Sequence, residues 1–91
     1  MASTLELAVK RVTRINGPTT VRAFCDVSIG NSFVVKSLKV VEGRNGLFVS
    51  MPREQGRNGQ WYDLVAPATK EARERITQVV LSAYNTPEPE L

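Results

Sequence analysis

The stretch Phe33-Val34-Val35-Lys36-Ser37-Leu38-Lys39-Val40-Val41 decides how this chain can fold. Read as a strand, with successive side chains on opposite sides, it puts Phe33, Val35 and Val41 on one face and Val34, Leu38 and Val40 on the other. A strand in an antiparallel sheet with one wet face alternates apolar with polar residues. This one does not, so the sequence predicts cover on both of its sides.

Upstream, Val21, Ala23, Cys25, Val27 and Ile29 share one face of a second segment, opposite Arg22, Asp26 and Ser28, and only Phe24 breaks the alternation. Gly30-Asn31 turns the chain between the two. A further segment, Leu5 to Val12, alternates Leu5, Leu7 and Val9 with Glu6, Ala8 and Lys10, then slips at Lys10-Arg11, where a bulge is expected. Downstream, Leu47–Met51 and Trp61–Ala66 read as strands closed by Pro52 and Pro67, since proline cannot donate to a ladder.

The helix signal covers Lys70 to Tyr84. Thr69 suits the N-cap and Glu71 the first turn, where negative charge complements the helix dipole. Ala72, Ile76, Val79, Val80 and Ala83 make one apolar stripe. The fold class is therefore α+β: an antiparallel sheet of about five short strands with one C-terminal amphipathic helix. A helix of this length is about 22 Å long and 10 Å wide, enough to cover one face of a small sheet. The second apolar side of Phe33–Val41 then needs another cover, and the sequence predicts a homodimer formed through the sheet.

With 91 residues, 42% of them apolar, the chain makes one small domain, expected over residues 1–84. The acidic, Pro-rich Asn85-Thr86-Pro87-Glu88-Pro89-Glu90-Leu91 is expected to be a disordered tail, because it lacks apolar groups to offset its ordering entropy. One cysteine excludes an intrachain disulfide and suits a reducing compartment; its apolar neighbours mark Cys25 as a buried thiol. Met1-Ala2-Ser3-Thr4 carries no targeting pattern, and no apolar run approaches a membrane span. The expected location is the cytoplasm, away from membranes.

Chemistry is constrained by absence. Without histidine there is no Ser-His or Cys-His pair and no imidazole acid–base catalyst, and no two carboxylates are marked as a pair. An enzyme, a metal site and a small-molecule substrate are not expected. Gly-Arg-Asn-Gly occurs twice, at Gly43–Gly46 and Gly56–Gly59; neither copy fits a dinucleotide or Walker loop, so no cofactor is expected. Both read as hairpin turns, each displaying an arginine, Arg44 or Arg57, beside glycines that admit a phosphate.

Twelve Lys and Arg face nine Asp and Glu; leaving out Glu88 and Glu90, the remaining seven acids give the domain +5. That balance favours phosphate-bearing partners. Arg53 and Arg57 bracket the longest polar insert, followed at once by Trp61 and Tyr62, an arrangement suited to holding a nucleic-acid backbone and stacking a base. Lys70, Arg73 and Arg75 form a second cluster on the helix, interleaved with Glu71 and Glu74, which is also the pattern of a solvated helix face. The rival to nucleic-acid binding is a protein-interaction module that uses a sheet edge or apolar face.

The run Asn45-Gly46-Leu47-Phe48-Val49-Ser50-Met51-Pro52 resembles the signature of the stage V sporulation protein G (SpoVG) family. Phe33-Val34-Val35 and Val40-Val41-Glu42-Gly43 before it, and Asp63-Leu64-Val65-Ala66-Pro67, Arg73, Ile76, Val80-Leu81 and Tyr84 after it, extend the likeness from about Leu5 to Tyr84. The resemblance implies a small regulator linked to septation and sporulation, dimeric through sheet pairing and able to bind DNA and RNA. It also implies nucleic-acid contacts just after Met51-Pro52, here Arg53, and on the helix, here Arg73 and Arg75. Where members often carry a Lys-Arg pair, this chain has Glu54-Gln55, which implies a loop contact either weakened or shifted to Arg57.

Overall fold

Four strands, β1 (Leu7–Arg14), β2 (Val21–Ile29), β3 (Phe33–Gly43) and β4 (Gly46–Ser50), form an antiparallel sheet in the order β1-β2-β3-β4. A separate ribbon pairs β5 (Arg53–Gln55) with β6 (Trp61–Asp63), and α1 (Lys70–Asn85) follows. The structure, a computed structural model, describes residues 6–86. An antiparallel sheet with one C-terminal helix is the expected class. The helix runs one residue past Tyr84, and Thr86 caps it by donating its N–H to the Ala83 carbonyl. The rest of the expected tail lies outside the described residues.

Register explains the double-sided stretch. Val27 faces Val35 across the β2–β3 ladder, while Cys25 faces Leu38, and Val27, Cys25 and Leu38 are fully buried. Opposed residues share a face, so Val35 and Leu38 lie on the same side although an even-odd reading separates them. The register shift between Cys25 and Val27 absorbs the extra residue at Lys36-Ser37. Ser37 adopts φ +69° and its N–H donates to Asp26 Oδ1 at 3.3 Å. This corrects the alternation: Val35, Leu38 and Val40 all turn to the core, leaving Val34 and Val41 on the far face. The expected slip near Lys10 is present as a second shift, between Val9 and Arg11.

The helix covers the core face. Thr69 Oγ1 accepts the Ala72 N–H at 3.0 Å, as a capping threonine should. Ile76 and Val80 are buried against Ala23, Cys25, Val27, Leu38, Val40, Val49 and Met51. Leu7, Val9, Val12, Leu81 and Tyr84 pack around this cluster.

Turns are cut as the sequence predicts. Gly30 and Asn31 both take φ +59°, the double positive that matches strand twist in a tight hairpin. In each Gly-Arg-Asn-Gly copy the final glycine holds the positive φ, +116° at Gly46 and +82° at Gly59. The difference from expectation lies after Pro52: Trp61–Ala66 does not extend the main sheet. Proline ends the β4 ladder, and the chain builds its own ribbon, with Arg53 opposite Asp63 and Gln55 opposite Trp61.

Candidate functional site

The expected cations fall into three groups. Arg44 is displayed in the two-residue turn between β3 and β4. Arg53 and Arg57 belong to the β5–β6 ribbon, beyond the other end of β4, about 16 Å of strand away. Lys70 and Arg73 lie three residues apart, on one exposed side of the first helical turns. Arg75, two residues further, points elsewhere: it is half-buried and lines an apolar cavity of about 290 Å³ with Leu7, Ile29, Met51, Pro67 and Ile76.

The ribbon is electrically balanced. Arg53 Nε meets Asp63 Oδ1 at 3.1 Å, which spends the charge that sequence reading offered to a phosphate. With Glu54 and Arg57 the ribbon carries two cations and two anions. Tyr62 is fixed by its neighbours: Asn58 Nδ2 donates to its hydroxyl at 2.9 Å, and a Cβ on Gly56 would come within 2.8 Å of its ring. Trp61 stands on the other face of the ribbon, with Arg53 and Gln55, and is 55% exposed. Among the described residues, Arg44, Arg57, Lys70 and Arg73 form no ion pair, so their charge is open to solvent.

Sequence reasoning missed the row of aromatic and basic side chains on the far face of the main sheet. The register sets Thr13, Phe24, Lys39 and Ser50 side by side across all four strands, and Val41 beside Phe48 in the next row. Phe24 and Phe48 are exposed to 37% and 48%. The signal was the break in alternation at Phe24, where an aromatic occupies a position that should be polar.

Cys25 is buried in the core, and desolvation pushes its thiol pKa up; Asp26 adds to the rise while Arg14 opposes it. Such a thiol stays protonated and unreactive near neutral pH.

A four-stranded antiparallel sheet with one helix packed on one face defines a small α+β protein, with Arg44, Arg57, Lys70 and Arg73 exposed on its turns and helix. Comparison with known proteins makes the class specific. The SpoVG family model matches residues 5–86, and the chain belongs to that family. Curated relatives bear the name "Putative septation protein SpoVG". One from Archaeoglobus fulgidus is 43% identical over 83 residues, covering 91% of this chain and 98% of its own. One from Heliobacterium modesticaldum is 42% identical over 74 residues, covering 81% and 83%. One from Clostridium botulinum is 35% identical over 80 residues, covering 88% of both. Among the described residues no helix is long and apolar enough to cross a membrane.

Proposed function

We propose that this protein is a non-enzymatic, cytoplasmic septation regulator that works as a homodimeric nucleic-acid-binding protein. Its membership in the SpoVG family and the name its relatives bear support the septation role. The observation that carries the nucleic-acid reading is the unpaired charge: Arg44, Arg57, Lys70 and Arg73 are exposed and unmatched among the described residues. Exposed cations of this kind release counterions from a phosphate backbone and bind without reading sequence. Arg53 and Arg75 contribute less, one paired to Asp63 and the other turned toward the cavity.

The dimer is supported by apolar surface that one copy leaves open. Phe33, Trp61, Tyr62 and Leu64 are all about half exposed or more. A protein this small seldom leaves so much uncovered. Pairing through the outer edge of β4 fits best, because β1 is blunted at its own edge by a bulge and by Lys10, Arg11 and Arg14. Edge pairing doubles the cation clusters across a two-fold axis.

The test combines anisotropy of a labelled oligonucleotide with light scattering. The reading predicts a particle of about 20 kDa, twice one copy of 10.1 kDa. It predicts a loss of about tenfold or more in affinity for an Arg57→Ala, Arg73→Ala double variant. A concentrated 10.1 kDa particle would remove the dimer, and unchanged affinity in the double variant would remove the charge reading.

A further inference from the structure

The face of the main sheet opposite α1 combines aromatic and basic side chains in fixed register. Phe24 and Phe48 come from β2 and β4, with β3 between them, so their strands stand about 10 Å apart. Lys39 on β3 lies beside Phe24 in the same row, and Val41 beside Phe48. Arg11 stands opposite Asp26 on the same face, a pair of balanced charge, which leaves Lys39 as the net positive charge of this row. A Cβ on Gly43 would approach the Phe48 ring Cε1 to 3.0 Å, and Phe48 remains 48% exposed.

We propose that this sheet face is a stacking platform for single-stranded nucleic acid, with Phe24 and Phe48 each taking an unpaired base and Lys39 taking the phosphate between them. The inference rests on the nucleic-acid reading above and assigns it a second surface, separate from the arginine turns and the helix. Aromatic rings interleaved with cations on an open antiparallel sheet match the chemistry of an unpaired strand, which offers a π-face and a negative charge at every nucleotide. A duplex hides its base faces, so it gains nothing from the rings.

A second copy of this chain is the competing occupant, and Lys39 argues against it. Among the described residues Lys39 has no ion pair, and two-fold packing of this face would bury an unmatched ammonium among phenylalanines. A polyanion brings the missing charge with it.

The experiment uses the full chain and two probes of equal phosphate number, an oligonucleotide of about 12 unpaired residues and a duplex. Phe24→Leu and Phe48→Leu keep the exposed positions apolar while removing the rings; Lys39→Gln removes the charge. Each ring variant should lose about tenfold in single-strand affinity and leave duplex affinity within about twofold. Lys39→Gln should weaken the single strand and flatten its salt dependence. Equal losses on both probes, no loss on either, or a fall in particle mass with the ring variants would overturn the platform; the last would make this face a contact between copies. Failure of the unaltered protein to bind either probe removes the nucleic-acid reading as well. Binding lost only in Arg57→Ala, Arg73→Ala keeps that reading and removes the platform alone.

Discussion

Arg14 at the end of β1 closes the C-terminus of the helix at Tyr84. Its Nη2 donates to the Tyr84 carbonyl at 2.6 Å and to the Thr86 carbonyl at 2.9 Å, and its guanidinium lies 5.5 Å from the Tyr84 ring centroid. The helix has no basic residue in its own last turn, so the cation that its dipole favours is supplied from the sheet. This one side chain fastens the last helical turn to the strand farthest from it in sequence.

Arg14→Ala should therefore cost about 1–2 kcal/mol, from lost carbonyl hydrogen bonds and dipole compensation. Thermal unfolding should fall by about 4–15 °C for a domain of this size. Hydrogen exchange should rise first at the amides of the last helical turn. An unchanged melting temperature would show that the clamp adds nothing.

Ser37 holds φ +69°, a conformation that costs a residue with a Cβ about 1–2 kcal/mol. Ser37→Gly should keep the stability or raise it by up to about 1 kcal/mol, since glycine adds back some chain entropy. Ser37→Val should lower it by more than about 1 kcal/mol, because a β-branched side chain resists this region. In denaturant the Ser37→Val midpoint should fall, while the Ser37→Gly midpoint should hold or rise.

Cys25 gives a pH dependence with a definite sign. Its folded pKa is raised, chiefly by burial, so the folded state holds its proton after the unfolded chain has released it. Stability from this group is complete below the unfolded thiol pKa of about 8.5 and declines as pH rises above it. Cys25→Ala should remove that alkaline slope, and the native thiol should react with a disulfide reagent only as fast as the protein opens.

Ser28 is buried, and among the described residues its hydroxyl has no hydrogen-bond partner. Leaving a buried hydroxyl unmatched costs free energy, so Ser28→Ala should be neutral or stabilise the protein by about 1 kcal/mol. A loss of stability in urea unfolding would point to a hydrogen bond made elsewhere in the ensemble.

The parts of the fold that follow from periodicity and end signals could be read before the structure. The β2 alternation from Ala23 to Ile29, the Thr69 cap, the Ile76/Val80 stripe, the slip at Lys10 and both Gly-Arg-Asn-Gly turns all stand where local chemistry places them, whereas a register shift between Val21 and Ala23 turns Val21 to the far face opposite Val41. The bulge at Ser37 was hidden because no glycine marks it; it is held by the Asp26 carboxylate on the neighbouring strand, a contact between residues far apart in pattern. Strand β5 was hidden for a different reason. Arg53-Glu54-Gln55 has no apolar alternation, and it is extended because β6 pairs with it and Asp63 meets Arg53. The same pair explains the main shift in the candidate site: a sequence counts Arg53 as a free cation, and only tertiary structure shows its charge matched. Phe24 and Lys39 become neighbours through register alone, which no linear spacing displays.

The central claim is that exposed charge on this domain grips a nucleic-acid backbone, and the most direct measurement is affinity for a labelled oligonucleotide as salt rises from about 50 to 200 mM. With Arg44, Arg57, Lys70 and Arg73 each meeting a phosphate, log affinity for duplex should fall against log salt with a slope near −3.6 per copy, about −0.9 for each contact. Replacing Arg57 or Arg73 by alanine should reduce that slope by about one. A slope near zero, or no binding at the lowest salt, would contradict the account.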